Sequence, residues 1–386
     1  MQGAAPAPHT TNSNGPLEDD VVRVLRDDGS LDPEHDPKLD SDSVIAIYGA
    51  MVRVRLLDER LVGLQRQGRI GFHIGSQGEE AAIVGSAAAL RPHDWIFPCY
   101  REFGAALWRG MPLAAYVNHM FGNESDPMKG RQMPDHYGAK VARFTSISSP
   151  VGTQITHAAG FAWAAKIDRA TRKRDGREPL DAADVATLVY FGEGATSSGE
   201  FHNGMNFAGV FNVPLVLLCR NNGWVQALPG ERPSVTTSFA DKGVAYGVPG
   251  IRCDGNDLFA VIAVVREAIA RAARGDGPTL VEALTARMPP ARDGAKDPND
   301  PWKKRDPLVR VRRHLEARGV WSEAKQREHE AATLAEIDAA IELAERVAPP
   351  ALGTLFDDVF QTPTHSLDEQ REELLASPRA TGLAKP

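Results

Sequence analysis

The chain has 386 residues, 42% of them hydrophobic and 25% charged, with a formal net charge of −7. That composition is ordinary for a globular protein, allows a large core, and excludes nucleic acid or an anionic membrane as a charge-driven partner. No apolar run reaches the ~18–20 residues of a membrane span, the start has no apolar signal core, and three scattered cysteines (Cys99, Cys219, Cys253) fit reduced thiols, so a cytoplasmic protein is expected.

Residues 1–42, rich in Pro, Gly, Asn, Asp and Ser, read as a mobile N-terminal arm. Behind the cap Ser41-Asp42-Ser43, apolar spacing predicts a helix from Val44 to Gln67, stopped by the glycines at 68 and 71. Phe72–Leu90 (FHIGSQGEEAAIVGSAAAL) reads as a glycine-containing turn feeding an alanine-rich helix. Glu79 and Glu80 fall in its first turn, where the dipole favours acids. Trp95–Gly104 (WIFPCYREFG) holds a short strand followed by Tyr100-Arg101. Spacing alone reads these as a packed Tyr and a surface Arg, although a guanidinium is also a good phosphate partner. Phe121–Gln154 is a long loop rich in Gly, Pro and Asp, of the kind that is functional or mobile. An alanine-rich helix, Thr153–Lys166, follows, and then a polar surface linker, 170–184.

Val185–Trp224 organises the rest. Ala186–Phe191 and Pro214–Cys219 are apolar runs that read as strands buried on both faces of a parallel sheet, with Phe201–Phe211 at helical spacing between them. In such a unit the carboxyl ends of both strands share one edge, where open α/β sheets bind ligands. Glu193 and Asn222 stand there. A carboxylate and an amide oxygen suit Mg²⁺, which takes its remaining oxygens from phosphates and water. Gly192 and Gly194 let backbone approach a diphosphate, and the helix beginning near Ser198–Glu200 aims free N–H groups at it. Gly-Glu-Gly and Asn-Asn-Gly are each ordinary turns; together, at two linked strand ends, they point to a metal–diphosphate site.

Tyr246–Asn256, Leu258–Ala273 and the segment GPTLVEALTAR read as strand, helix and strand extending the sheet. Pro290–Pro307 reads as a flexible polar loop, and Lys303–Arg313 as a solvated basic helix face. Val309–Val347 reads as two helical segments broken at Gly319, and 366–386 as a frayed tail after a domain spanning 43–365.

Gly192-Glu193-Gly194 followed by Asn221-Asn222 resembles the Gly-Asp-Gly…Asn-Asn signature of thiamine diphosphate enzymes, with Glu for the commoner Asp. With the GEE–VGSAAAL helix, GRQMPDHYG and ISSPVGTQ, the chain is similar to the α subunit of the branched-chain 2-oxo acid dehydrogenase decarboxylating component. The resemblance implies an α/β fold with a mostly parallel sheet flanked by helices, the diphosphate-binding half of a thiamine enzyme. It implies thiamine diphosphate beside Tyr100, Arg101, Ser149, Val151, Gly192, Gly194, Ala195 and Arg220. It places Mg²⁺ on Glu193, Asn222 and the backbone oxygen of Trp224, and K⁺ among Ser148, Pro150, Thr153 and Gln154. The implied partners are a β subunit in an α₂β₂ heterotetramer, which carries the cofactor-activating Glu, and a lipoyl acyltransferase. The implied reaction is decarboxylation of a branched-chain 2-oxo acid with transfer of the acyl group to a lipoyl domain, and the chain alone should be inactive.

One segment departs from that pattern. Where the family has Arg-x-Gly-His-His-Ser, this chain reads Arg287-Met288-Pro289-Pro290-Ala291-Arg292. The family's catalytic His position is Ala291, and neither Pro nor Ala carries a proton as an imidazole does. The alternatives are a shifted loop with His73 or His136 nearby, altered turnover, or a cofactor-binding subunit with no turnover. By substrate, the alternative is a pyruvate or acetoin dehydrogenase α subunit, against which the GRQMPDHYG wording argues.

Overall fold

The computed structural model describes residues 20–176, 185–225, 228–229, 234, 236–288 and 305–377. In chain order the strands are β1 (Val21–Val22), β2 (Trp95–Phe97), β3 (Thr187–Gly192), β4 (Leu215–Asn221), β5 (Trp224–Val225), β6 (Leu228–Pro229), β7 (Gly250–Asp254) and β8 (Thr279–Leu284). The α-helices are α1 (Ser41–Arg66), α2 (Glu80–Ala89), α3 (Phe103–Trp108), α4 (Leu113–Phe121), α5 (Thr153–Arg174), α6 (Gly199–Phe211), α7 (Leu258–Arg274), α8 (Pro307–Ala317), α9 (Glu323–Arg346) and α10 (His365–Ala376).

Alternation along the two central strands explains the layers. Leu188, Tyr190, Val216 and Leu218 point into a core shared with α1, α2 and α7. Their neighbours Val189, Phe191, Leu215, Leu217 and Cys219 point the other way, against α5 and α6. Strands covered on both faces need apolar side chains at every position, which is why these runs are continuous. Each such side chain contributes about 1.5–3 kcal/mol on burial. The sheet has six strands in the order β1-β7-β8-β4-β3-β2, and every pairing in it is parallel. The expected strand–helix–strand unit is therefore present, with β3 beside β4 and α6 started by Ser198, whose side chain accepts from Phe201 N. Among the described residues no helix is long and apolar enough to cross a membrane.

Four expectations need correction. The arm expected over 1–42 is built into the fold from its second half: β1 pairs with β7, and Val24 and Leu25 are buried with their N–H groups on Asp257 Oδ2 at 2.7 and 2.6 Å. Polar neighbours hid a short apolar stretch whose backbone completes a sheet edge. The linker expected from Ala170 begins later, because α5 continues to Arg174. The basic face expected over Lys303–Arg313 is not wholly solvated: Arg310 is buried on Asp254 at 2.8 Å. The tail expected to fray contains α10, none of whose residues is buried.

Candidate functional site

β3 and β4 pair with Gly192 opposite Arg220. Glu193 and Asn222 therefore leave the same sheet edge from neighbouring strands, which lie about 4.8 Å apart. Glu193 is 2% exposed and opens the tight turn Glu193–Ser197, in which the Thr196 hydroxyl donates to the Glu193 carbonyl at 2.7 Å. Gly194 and Ala195 lie in that turn, Ala195 buried. Gly192 has extended backbone, and a Cβ placed there would meet only the Arg220 carbonyl, at 4.0 Å. Its glycine is thus explained by neither φ nor neighbouring protein atoms, which leaves room for a bound group. Asn221 makes the turn, donating to Glu282 at 2.7 Å and accepting from Gly223 N at 3.0 Å. Asn222 turns its amide nitrogen toward Glu79 Oε1, at 3.5 Å. The Trp224 backbone follows in β5.

Three arginines surround this edge. Arg220 is buried and ion-paired to Glu79 at 2.6 Å and to Glu102, both carboxylates having no solvent exposure. Arg101 donates to the Gly75 carbonyl, its guanidinium 5.4 Å from the Tyr100 ring centre. Burial pushes the Glu79 carboxyl up, but Arg220, then Arg101 and Arg287, override it and hold it below its ordinary value. Burial wins at Glu102, raising its carboxyl in spite of Arg220. Burial and then Arg101 hold Arg287 below the ordinary guanidinium value. Among the described residues, Arg220 Nε and Glu102 Oε2 are buried with no hydrogen-bond partner. Buried polar atoms are normally satisfied. A cluster of arginines with an unfilled donor, beside an acid and an amide at a strand edge, fits an anionic group such as a diphosphate carrying its metal.

The long loop before α5 reaches the same place. A Cβ on Gly152, at φ +98°, would lie 2.4 Å from Ser198 Oγ, so the loop packs on the start of α6. Ser149 is exposed and Val151 is 47% exposed on it. His136 Nδ1 lies 2.9 Å from the Pro134 carbonyl, and its Nε2 lies 2.7 Å from the Ser149 hydroxyl. Thr153 Oγ1 donates to the Pro150 carbonyl at 3.0 Å, and Ser148 beside them is half-buried. Gln154 turns its amide nitrogen to the Tyr190 carbonyl of β3 at 2.9 Å. The structure thus brings Pro150 and Thr153 together and anchors Gln154 to the sheet.

His73 is no free base. Its ring lies between Asp58 (2.9 Å) and Asp135 (3.2 Å), with all three side chains buried. Burial opposes its charge, yet Asp135 and Asp58 raise it to about 9. Pro290 and Ala291 lie outside the described residues. Sequence reasoning assigned no site role to Glu79, Glu102, Arg287, Asp58 or Asp135. Glu79 was visible only as a first-turn acid, and ion pairs between distant segments leave no local spacing to read.

The family model described as dehydrogenase E1 component matches residues 48–352. The chain is 38% identical over 363 residues to the 2-oxoisovalerate dehydrogenase subunit alpha, mitochondrial, of Bos taurus, covering 92% of this chain and 77% of that protein. The Homo sapiens protein of the same name is 38% identical over 92% of this chain and 79% of its own length. The subunit alpha 2 of Arabidopsis thaliana is 37% identical over 90% and 73%.

Proposed function

The chain belongs to the dehydrogenase E1 component family, and from that premise we propose that it is the α subunit of a branched-chain 2-oxo acid dehydrogenase decarboxylating component. Its substrate is 3-methyl-2-oxobutanoate and related branched acids, and the acyl group passes to a lipoyl domain. The similarity to 2-oxoisovalerate dehydrogenase α subunits over about nine-tenths of the chain favours this over a pyruvate or acetoin enzyme. Family membership implies thiamine diphosphate, a β subunit and a lipoyl acyltransferase as partners. We further propose an α₂β₂ assembly and, since all three thiols are free and buried, a reducing cytoplasmic compartment.

Bound thiamine diphosphate supplies the electron sink that lets a 2-oxo acid lose CO₂. This chain's own share is electrostatic. Glu193, Asn222 and the Trp224 carbonyl offer oxygens to Mg²⁺. Arg101 and Arg220 neutralise the diphosphate in a buried setting where charge interactions exceed those in water. Tyr100, Ser149 and Val151 would stand beside the diphosphate, and Ser148, Pro150, Thr153 and Gln154 would offer oxygens to K⁺. The observation that carries the proposal is the rung Gly192–Arg220, which sends Glu193 and Asn222 off one sheet edge beside an arginine cluster. The test is to titrate thiamine diphosphate with Mg²⁺ into the assembled α and β subunits carrying Glu193→Ala. Metal-dependent binding should be lost, and unchanged affinity rejects the assignment.

A further inference from the structure

The peptide that carries His136 is held in a backbone conformation its residue types rarely adopt. Asp135, just before it, has φ +61°, in the left-handed region that favours glycine. Such residues persist where the surroundings over-determine them, and they gather at working sites. The Asp135 side chain has no solvent exposure. It accepts from Ile74 N at 2.7 Å and from the Tyr116 hydroxyl at 2.8 Å, and it lies 3.2 Å from His73 Nδ1. The His136 N–H is shared between the Met133 carbonyl at 3.0 Å and His119 Nε2 at 3.2 Å.

Two of these contacts come from one face of α4. Tyr116 and His119 are three residues apart on that helix and so stand side by side, and both are buried. The Tyr116 ring is stacked on Phe103, with centres 5.4 Å apart. The His119 ring stands edge-on to Tyr137 at 5.5 Å, and Asp126 lies 3.0 Å from its Nδ1. A backbone N–H can only donate, so Nε2 is the unprotonated nitrogen of His119 and Nδ1 carries the proton toward Asp126. Asp126 in turn accepts from Met128 N and Gly130 N, each at 2.9 Å. The helix therefore presents a hydroxyl donor and an imidazole acceptor to the consecutive residues 135 and 136. The His136 ring passes this anchoring on. Its Nε2 lies 2.7 Å from the hydroxyl of Ser149, on the loop that packs against the start of α6.

We propose that Tyr116 and His119 are positioning residues of the cofactor site: they fix the 135–136 peptide and, through the His136 ring, hold the Ser149 hydroxyl in place beside the diphosphate. This rests on the reading of Ser149 as a neighbour of the diphosphate. The test is the calorimetric affinity of the assembled α and β subunits for thiamine diphosphate with Mg²⁺. Tyr116→Phe removes one oxygen and keeps the stacked ring; His119→Phe keeps a ring and removes the acceptor. Each should weaken binding about fivefold, equivalent to about 1 kcal/mol, the usual net worth of one hydrogen bond. His119→Gln, whose amide sets an acceptor beside a donor, should bind as tightly as wild type. Ser149→Ala should also weaken binding, and neither Phe variant should weaken it further on that background, because residues acting through one another are not additive. A role in stability alone would lower the thermal midpoint, which also confirms that each variant is folded, without this coupling to Ser149. Unchanged affinity in the folded Phe variants, His119→Gln as weak as His119→Phe, or losses that add in full to that of Ser149→Ala overturns the positioning role and leaves the cofactor reading intact. A wild-type assembly that takes up no cofactor overturns both.

Discussion

Arg220 holds together a group of charges that could not otherwise be buried. Glu79 and Glu102 have no solvent exposure and share this one guanidinium. Removing one partner of a buried pair typically costs about 3–5 kcal/mol, because the other charge is left uncompensated. Arg220→Gln should therefore lower stability by that order in denaturant unfolding of the chain. Adding Glu102→Gln should recover part of it, since burial already favours the neutral form there. A double variant no more stable than the single one would show that the pair is not the cause. His73 makes a pH prediction. Its folded value, about 9, lies above the ordinary 6.5, so the stabilisation from its pairing with Asp58 and Asp135 is complete below about pH 6.5 and is lost as pH rises through about 9. The charges facing it are Asp58 on α1 and Asp135 in the long loop, with Tyr116 of α4 donating to Asp135 at 2.8 Å. The stability difference between wild type and His73→Gln, measured by urea unfolding across that range, should shrink by roughly 3 kcal/mol. A difference that stays constant to pH 10 would mean the ring is not protonated in the fold.

At the scale of elements, the site depends on two loops held closer than side chains permit. Gly78 has φ +90°, and a Cβ there would lie 2.3 Å from the Ala286 carbonyl and 2.8 Å from Met288 N. Gly78→Ala must either strain the backbone or separate the 72–78 loop from the end of β8. It should cost more than the ~1 kcal/mol of an ordinary Gly–Ala exchange, and should weaken thiamine diphosphate binding in the assembled complex because Arg287 and Glu79 move apart. Binding as tight as wild type would show that the cluster tolerates the displacement. The elements themselves were largely legible. The continuous runs at Ala186–Phe191 and Pro214–Cys219 became β3 and β4 because only strands covered on both faces need apolar residues at every position. The stop at Gly68 was visible for a similarly local reason, whereas the cap expected at Ser41-Asp42-Ser43 lies one residue earlier: Asp40 accepts from Ser43 N, and Ser41 already opens α1. The Glu79–Arg220–Glu102 group was not, since its members come from the residue before α2, the residue before α3 and the end of β4, and only the folded sheet brings them together. The resemblance to a family named Arg220 but not the carboxylates that neutralise it.

Over the whole molecule, the least legible feature was the sheet edge. β1 is two residues long and follows a stretch whose composition reads as an arm, so neither period nor length announced it. Tertiary contacts make it a strand. Arg252 of β7 pairs with Asp20 at 2.8 Å, Arg310 of α8 donates to the Leu25 carbonyl at 2.9 Å, and Val24 and Leu25 place both N–H groups on Asp257. Burial pushes the Asp257 carboxyl up, and Arg310 opposes it most strongly among the charges. A chain beginning at residue 27 would lose all of these contacts. It would leave β7 with an open edge, a template for association, and Asp257 without its two backbone donors. Each lost donor to a buried charged acceptor is worth about 1.5–3 kcal/mol, so the truncated chain should unfold well below one beginning at Asp20, which keeps every contact named. It should also associate as concentration rises, which light scattering would register. Equal midpoints for the two chains would mean that the sheet closes at β7 without its sixth strand and that the N-terminal segment is, after all, dispensable to the fold.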